Sequence, residues 1–116
     1  MDSKRHMRRS YKETMVPAGV FVITNTLNGR TLVGASMNVD GAINRNRFEL
    51  EHQTHRNAAL LCDWNRFGAE NFSFDRVETM RARDDPAFDY KAELEFMLQL
   101  WCDEYECFGA KGYNRR

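Results

Sequence analysis

The sequence predicts a small α/β (α+β) domain in which a three-stranded mixed sheet is flanked by helices. Two runs rich in β-branched and aromatic residues, 20–24 and 31–35, surround an Asn28-Gly29 pair. Such a pair between two runs of this kind is the strongest short-range signal for a β-hairpin, because both residues tolerate positive φ. Later segments carry apolar residues at helical spacing or in alternation. The predicted element order is β-β-α-α-β-α.

Two helices are predicted after the hairpin. The first starts near Asn38 or Asp40, which are good N-cap residues, and continues to Leu50. The second covers about 56–67 and ends at Gly68, a typical residue just past a helix C-terminus.

The last two predicted elements are a strand over about 71–79 and a long final helix. Asp85 is expected to cap that helix and Pro86 to occupy its first turn. The helix carries a stripe of apolar residues at helical spacing, namely Leu94, Met97, Leu98, Trp101 and Tyr105.

Length and composition indicate one soluble domain. The chain has 116 residues, of which 29% are charged and 42% hydrophobic, and this is enough for one core. Residues 1–16 are predicted to form a basic N-terminal arm, with the ordered domain running from Pro17 to the end, 17–116. No apolar run approaches the roughly 20 residues of a membrane span, so we expect no membrane partner and a cytoplasmic location. Three cysteines without a CxxC pair predict unpaired thiols.

Four blocks of the sequence, in order and at fitting spacings, resemble the GIY-YIG nuclease superfamily. They are the hairpin from Gly19 to Gly34, the small-residue and Asn run 35–39, the segment 63–74, which reads DWxxxGxxxFxF, and the terminal Tyr113-Asn114 pair. The resemblance covers nearly the whole ordered domain and implies its fold.

The resemblance also implies a chemistry, the cleavage of phosphodiester bonds in DNA with one divalent metal. In that chemistry a tyrosine hydroxyl activates water, and a second tyrosine supports it. An arginine stabilises the developing negative charge, a His or Tyr assists proton transfer, and a glutamate holds the metal.

Carried onto this sequence, nearly every one of those roles lacks its side chain. The five positions fall, in the same order, on Phe21, Leu32, Ala42, Asn46 and Leu98. Only the terminal Asn114 is kept. Two nearby residues could restore part of the site one helical turn away, Arg45 for the arginine and Glu95 for the metal ligand. A divalent metal, Mg²⁺ or Mn²⁺, is therefore expected only if the chain is active.

The charge distribution favours a nucleic-acid partner, although the formal net charge is zero. Residues 1–56 carry nine Lys/Arg against five acids, while residues 81–106 carry eight acids against three bases. A basic half is suited to phosphate contact. The predicted contacts are Arg30, Arg45, Arg47 and Arg56.

Three functions follow from these observations. The first is a catalytically degenerate domain that binds nucleic acid, with DNA favoured. The second is a metal-dependent DNA endonuclease that uses Arg45 and Glu95 as shifted catalytic residues. The third is a protein-interaction module that offers a partner an apolar pocket between Phe21, Leu32 and Leu98 together with the acidic final helix.

Overall fold

The computed structural model describes residues 17–80 and 87–115, so the predicted arm 1–16 lies outside the described residues. Over the described residues the predicted order of elements is confirmed. The elements are β1 (Ala18–Asn25), β2 (Thr31–Ser36), α1 (Val39–Glu51), α2 (Ala58–Phe67), a 3₁₀ turn (Ala69–Asn71), β3 (Phe72–Met80) and α3 (Tyr90–Tyr105).

The sheet has the strand order β2-β1-β3 and is antiparallel throughout, whereas the sequence predicted a mixed sheet. The pairing direction of β3 depends on where the two intervening helices return the chain, and no local pattern records this. Among the described residues, parallel pairing occurs only as isolated bridges to the C-terminal segment, such as the one between Thr31 and Gly112.

The hairpin between β1 and β2 is confirmed, with a loop that spans residues 26–30. Thr24 pairs with Thr31, and the Asn25 N–H donates to the Arg30 carbonyl at 2.9 Å. Gly29 has a φ of 79°, a value that glycine adopts at little cost. The Asn28-Gly29 pair that signals the hairpin therefore lies inside a five-residue loop.

The two faces of the sheet carry separate hydrophobic clusters. Alternation along β1 places Phe21 and Ile23 on one face, where α1 and α2 pack. Val20 and Val22 lie on the other face, where α3 packs with Met97. The helices therefore flank the sheet on both sides, as predicted.

The start of α1 and the end of α2 lie where the local sequence signals predicted them. The Asn38 side chain accepts from the Gly41 N–H at 2.9 Å at the start of α1, and Gly68 ends α2 with a φ of 94°. The predicted cap at Asp85 and Pro86 lies outside the described residues. α3 begins at Tyr90 with Asp89 as its N-cap. Among the described residues, no helix is long and apolar enough to cross a membrane.

The cysteines differ from the expectation of three unpaired thiols. Cys102 and Cys107 form a disulfide, with their Cα atoms 5.1 Å apart. Their proximity follows from the turn at the end of α3, where Glu106 adopts a positive φ of 54° and sends the chain back along the helix. Cys62 is a free, exposed thiol.

Candidate nucleic-acid interface

A cleft of about 320 Å³ lies between the end of β2 and the first turns of α1, and it gathers several of the predicted site residues. Its lining includes Phe21, Ser36, Asn38, Ala42, Arg45 and Asn46. Four of these residues, Phe21, Ala42, Arg45 and Asn46, were predicted from the sequence as site positions. We call this space the β2–α1 cleft.

Phe21 lines the β2–α1 cleft with an aromatic ring that carries no hydroxyl. The residue is only 5% exposed, and it follows an irregularity in the β1–β3 pairing between Val20 and Phe21. The ring packs on Gly34 of β2: a Cβ atom at Gly34 would lie 2.5 Å from the ring Cζ atom. Gly34 therefore leaves room for this ring, and the position implied for the water-activating tyrosine contributes only apolar surface.

Asn46 is fixed in the cleft by two hydrogen bonds. Its side-chain amide donates to the Ala42 carbonyl at 2.8 Å, and its Oδ1 lies 2.6 Å from His55 Nε2. The His55 Nδ1 accepts from the Asn57 N–H at 3.0 Å, so Nε2 carries the proton and donates to Asn46. Burial lowers the pKa of His55, and the carboxylate of Glu49 opposes this shift. The imidazole is therefore neutral at pH 7.

His55 is a site residue that the sequence analysis missed. It lies in the loop after α1, well past the positions expected to carry chemistry. It reaches Asn46 because the loop after α1 folds back along the helix. The only sequence signal was a histidine just before the α2 cap Asn57, which by itself indicates nothing about its contact.

The four predicted arginines have different surroundings. Arg45 lines the β2–α1 cleft. The Arg47 guanidinium lies 4.6 Å from the centre of the Phe74 ring, over β3. Arg56 is exposed in the loop before α2. Arg30 lies elsewhere, inside a polar network at the other end of the sheet.

That network joins Arg30, Asp63, Tyr113 and Asn25. The Arg30 guanidinium donates to Asp63 at 3.3 Å and to the Gly112 carbonyl at 3.1 Å, and it lies 4.3 Å from the centre of the Tyr113 ring. The Tyr113 hydroxyl donates to Asp63 at 2.7 Å and accepts from the Asn25 amide at 3.2 Å. Burial and the hydrogen bond to Asp63 raise the pKa of Tyr113 to about 12. The phenol therefore stays protonated, and the network holds the chain end on the sheet.

Three further predicted residues line a second cleft, also of about 320 Å³, on the opposite face of the sheet. Glu95, Leu98 and Asn114 lie there. Leu98 packs with the cluster of Val20 and Val22. The predicted pocket between Phe21, Leu32 and Leu98 is therefore wrong, because Phe21 and Leu32 pack on the other face. Phe21 and Val22 are neighbours in β1, so their side chains point to opposite faces of the sheet. Leu98 packs on the face of Val22 and therefore lies away from Phe21.

The structure does not bring Arg45 and Glu95 together, since each lines a different cleft. Within residues 17–80 and 87–115, no three His, Cys, Asp or Glu side chains converge on a point that could hold a metal ion. Asn114 is also engaged: its amide accepts from the Val33 N–H at 2.9 Å and donates to the Val33 carbonyl at 2.8 Å. Mg²⁺ is typically bound through one or two carboxylates, with waters and substrate phosphates as its other ligands. Glu95 could supply one such carboxylate, but the Arg45 cation that would hold the phosphate beside it lines the other cleft.

Comparison with known proteins identifies two solved structures with this fold. The first is the catalytic domain of homing endonuclease I-TevI, which is 24% identical, with a TM-score of 0.71 over 85% of this chain and 98% of that one. The second is a mutant of the catalytic domain of intron endonuclease I-TevI, 23% identical, with a TM-score of 0.69 over 85% of this chain and 93% of that one. No protein-family model matches the chain, and no curated protein matches it. The chain shares the α+β fold of these two catalytic domains, and this is the fold that the sequence resemblance implied.

Proposed function

We propose that this chain is a GIY-YIG-fold domain that has lost its nuclease chemistry and binds nucleic acid, with DNA favoured, through the β2–α1 cleft. One observation carries the proposal. The cleft keeps a cation at Arg45 and polar side chains at Ser36 and Asn46, while the Phe21 ring stands where the resemblance implies a catalytic hydroxyl.

Binding of a phosphate in the cleft rests on charge and on helix geometry. Arg45 offers a planar cation that matches phosphate oxygens. α1 begins at the cleft with Asn38 as its N-cap, so the positive end of the helix dipole points at the same space. The Asp40 carboxylate in the first turn is paired with Arg76 at 3.3 Å, which reduces its repulsion of an anion.

The loss of cleavage follows from the substitutions at Phe21, Leu32, Ala42 and Leu98. Removing one general acid or base costs about 10²–10⁴ in rate, and removing one charge-stabilising donor about 10²–10³. These costs do not add, because the groups act as a unit. His55 does not replace them, since its Nε2 proton is committed to Asn46. We expect binding without phosphodiester cleavage.

The other two predicted functions receive less support. The shifted endonuclease requires Arg45 and Glu95 at one metal, and these residues line different clefts. The interaction module was predicted to use the pocket of Phe21, Leu32 and Leu98, which does not form. A protein partner on another surface stays a prediction.

Fluorescence anisotropy of labelled duplex DNA, single-stranded DNA and RNA at rising NaCl tests the proposal. We expect binding at low salt that weakens as salt rises, because phosphate contacts release counterions. Arg45→Gln should weaken binding to all three probes and lower the salt slope by about one. Lys91→Gln on α3, on the other face of the sheet, is the matched control and should change neither. No detectable binding by the unmodified chain at low salt would overturn the proposal.

Two companion measurements test the other predictions. Plasmid nicking in Mg²⁺ or Mn²⁺ should give no product, and cleavage that Arg45→Ala abolishes would favour the endonuclease instead. The cytoplasmic location also stays a prediction. Cytosolic proteins keep their thiols reduced, whereas Cys102 and Cys107 are paired in the structure. Thiol labelling of the denatured protein taken directly from cells tests the location: free Cys102 and Cys107 would support the cytoplasm, and an intact disulfide would contradict it.

A further inference from the structure

An exposed stripe of side chains runs along the outer face of α1. Arg45, Phe48 and His52 are spaced three and four residues apart, which places them on one side of the helix. Phe48 is 57% exposed, an unusual position for a large aromatic ring. We call these three residues the α1 stripe.

The two rings of the α1 stripe are already stacked. The centres of the Phe48 and His52 rings are 3.9 Å apart, and their planes differ by 22°. The His52 Nδ1 donates to the Phe48 carbonyl at 2.9 Å, which holds the imidazole over its neighbour. The pair is therefore a pre-organised flat surface that would lose little conformational entropy on contact with a third ring.

The α1 stripe is continuous with the β2–α1 cleft. Arg45 belongs to both, because it lines the cleft and precedes Phe48 by three residues. Those three residues rise about 4.5 Å along the helix axis. A phosphate held by Arg45 would thus lie next to the helical turn that carries the aromatic surface.

We infer that Phe48 and His52 form a stacking platform for an unpaired base, so that the site takes single-stranded or locally unpaired nucleic acid in preference to an intact duplex. The inference rests on the proposed function, because Arg45 must first hold the phosphate. A base in a duplex has both faces covered by its neighbours, whereas an unpaired base can stack on an aromatic side chain. Base stacking of this kind is tolerant of sequence, so we expect little preference among bases.

A second exposed apolar pair lies among acidic residues, which do not suit a nucleic-acid ligand. Phe96 and Leu100 on α3 are 60% and 51% exposed, and they line a cleft together with Glu78 and Glu93. Carboxylates at such a surface repel a polyanion. The α1 stripe instead begins with Arg45 at an anion-suited cleft. Glu49 and Glu51 belong to the same helix, one residue after Phe48 and one residue before His52.

The test compares Phe48→Leu with Phe96→Leu, a matched control that removes an equally exposed ring from the acidic helix. The probes are a single-stranded DNA oligonucleotide and its duplex, each labelled for anisotropy. Phe48→Leu should weaken single-strand binding about tenfold, because the contact it removes is the stacking of one base on an aromatic ring, and should leave duplex binding unchanged. Phe48→Tyr should keep the single-strand affinity. Circular dichroism of each variant checks that the helices are intact.

A second readout reports stacking directly. An oligonucleotide that contains 2-aminopurine should lose fluorescence when it binds the unmodified chain, and should keep it with Phe48→Leu. Equal affinity of Phe48→Leu and the unmodified chain for the single strand would overturn the inference while leaving the proposed function intact. A homodimer that Phe48→Leu dissolves without changing single-strand affinity would also overturn it, in favour of a protein contact. Failure of every probe to bind would overturn both.

Discussion

Arg30 and Arg45 belong to two regions at opposite ends of the sheet, and the two cations have different surroundings. In the network at the chain end, Arg30 meets Asp63, the Gly112 carbonyl and the Tyr113 ring. In the β2–α1 cleft, Arg45 lies among small, polar and apolar side chains with about 320 Å³ of open space in front of it. Polar groups that satisfy one another hold a fold together, whereas a cation that faces open space can hold a ligand. The two arginines cannot be told apart by residue type.

The largest expected effect is a loss of stability when the network around Arg30 is broken. Asp63→Ala should lower the free energy of unfolding by about 3 kcal/mol, because it leaves the Arg30 guanidinium and the Tyr113 hydroxyl without their shared acceptor. Urea denaturation followed by the fluorescence of Trp64, a buried residue on the same helix, measures the change. Asp75→Ala, at an exposed residue of β3, should change the free energy of unfolding by no more than about 0.5 kcal/mol. An equal loss in the two variants would show that the network does not stabilise the fold.

A smaller effect is expected at the floor of the cleft. Gly34→Ala should cost about 2 kcal/mol, since the new methyl group collides with the Phe21 ring and forces the ring or the strand to move. Urea denaturation gives the value. Adding Phe21→Leu should recover part of it, because the smaller side chain leaves room for the methyl group. Additive costs of the two substitutions would mean that the two residues are not in contact.

Replacing each arginine in turn by glutamine tests the comparison directly. Arg30→Gln should lower stability by about 1 kcal/mol and leave nucleic-acid affinity unchanged, because its guanidinium is already engaged. Arg45→Gln should leave stability within about 0.5 kcal/mol and weaken binding. Denaturation and anisotropy on the same two proteins give all four values. A loss of binding in Arg30→Gln at unchanged stability would show that the nucleic-acid interface lies at the Arg30 end of the sheet and not in the β2–α1 cleft.

The smallest expected effect is a pH dependence at His55. The pKa of this group is lower in the folded chain than its ordinary value of 6.5, so the unfolded chain binds the proton more readily. Stability from this residue is therefore complete above about pH 6.5 and falls as the pH drops below it. Urea denaturation between pH 7.5 and 5 should show the fall, and His55→Gln should show a smaller one. Stability that rises as the pH is lowered through this range would contradict the shift.

Local sequence signals predicted the elements well, because the physics behind them is local. The Asn38 cap and the Gly68 terminus act within one turn of their helices. The mixed sheet was wrong because the pairing of β3 depends on where the chain returns after two helices. His55 was missed because its contact with Asn46 depends on how the loop after α1 folds back. Likewise, the sequence placed Phe21 and Leu98 in one pocket, although the alternation along β1 and the packing of α3 assign them to opposite faces.

The hydrogen bonds between Asn114 and Val33 have a consequence for solubility. β2 is an edge strand, and edge strands with unpaired N–H and C=O groups invite pairing with a second chain. Asn114 uses its side-chain amide to occupy both groups of Val33, while the Tyr113 N–H donates to the Thr31 carbonyl at 2.7 Å. Asn114, the one site position that this chain keeps from the family pattern, thus covers the edge of the sheet. Its loss would present an open strand edge, along which copies of the chain could join into aggregates.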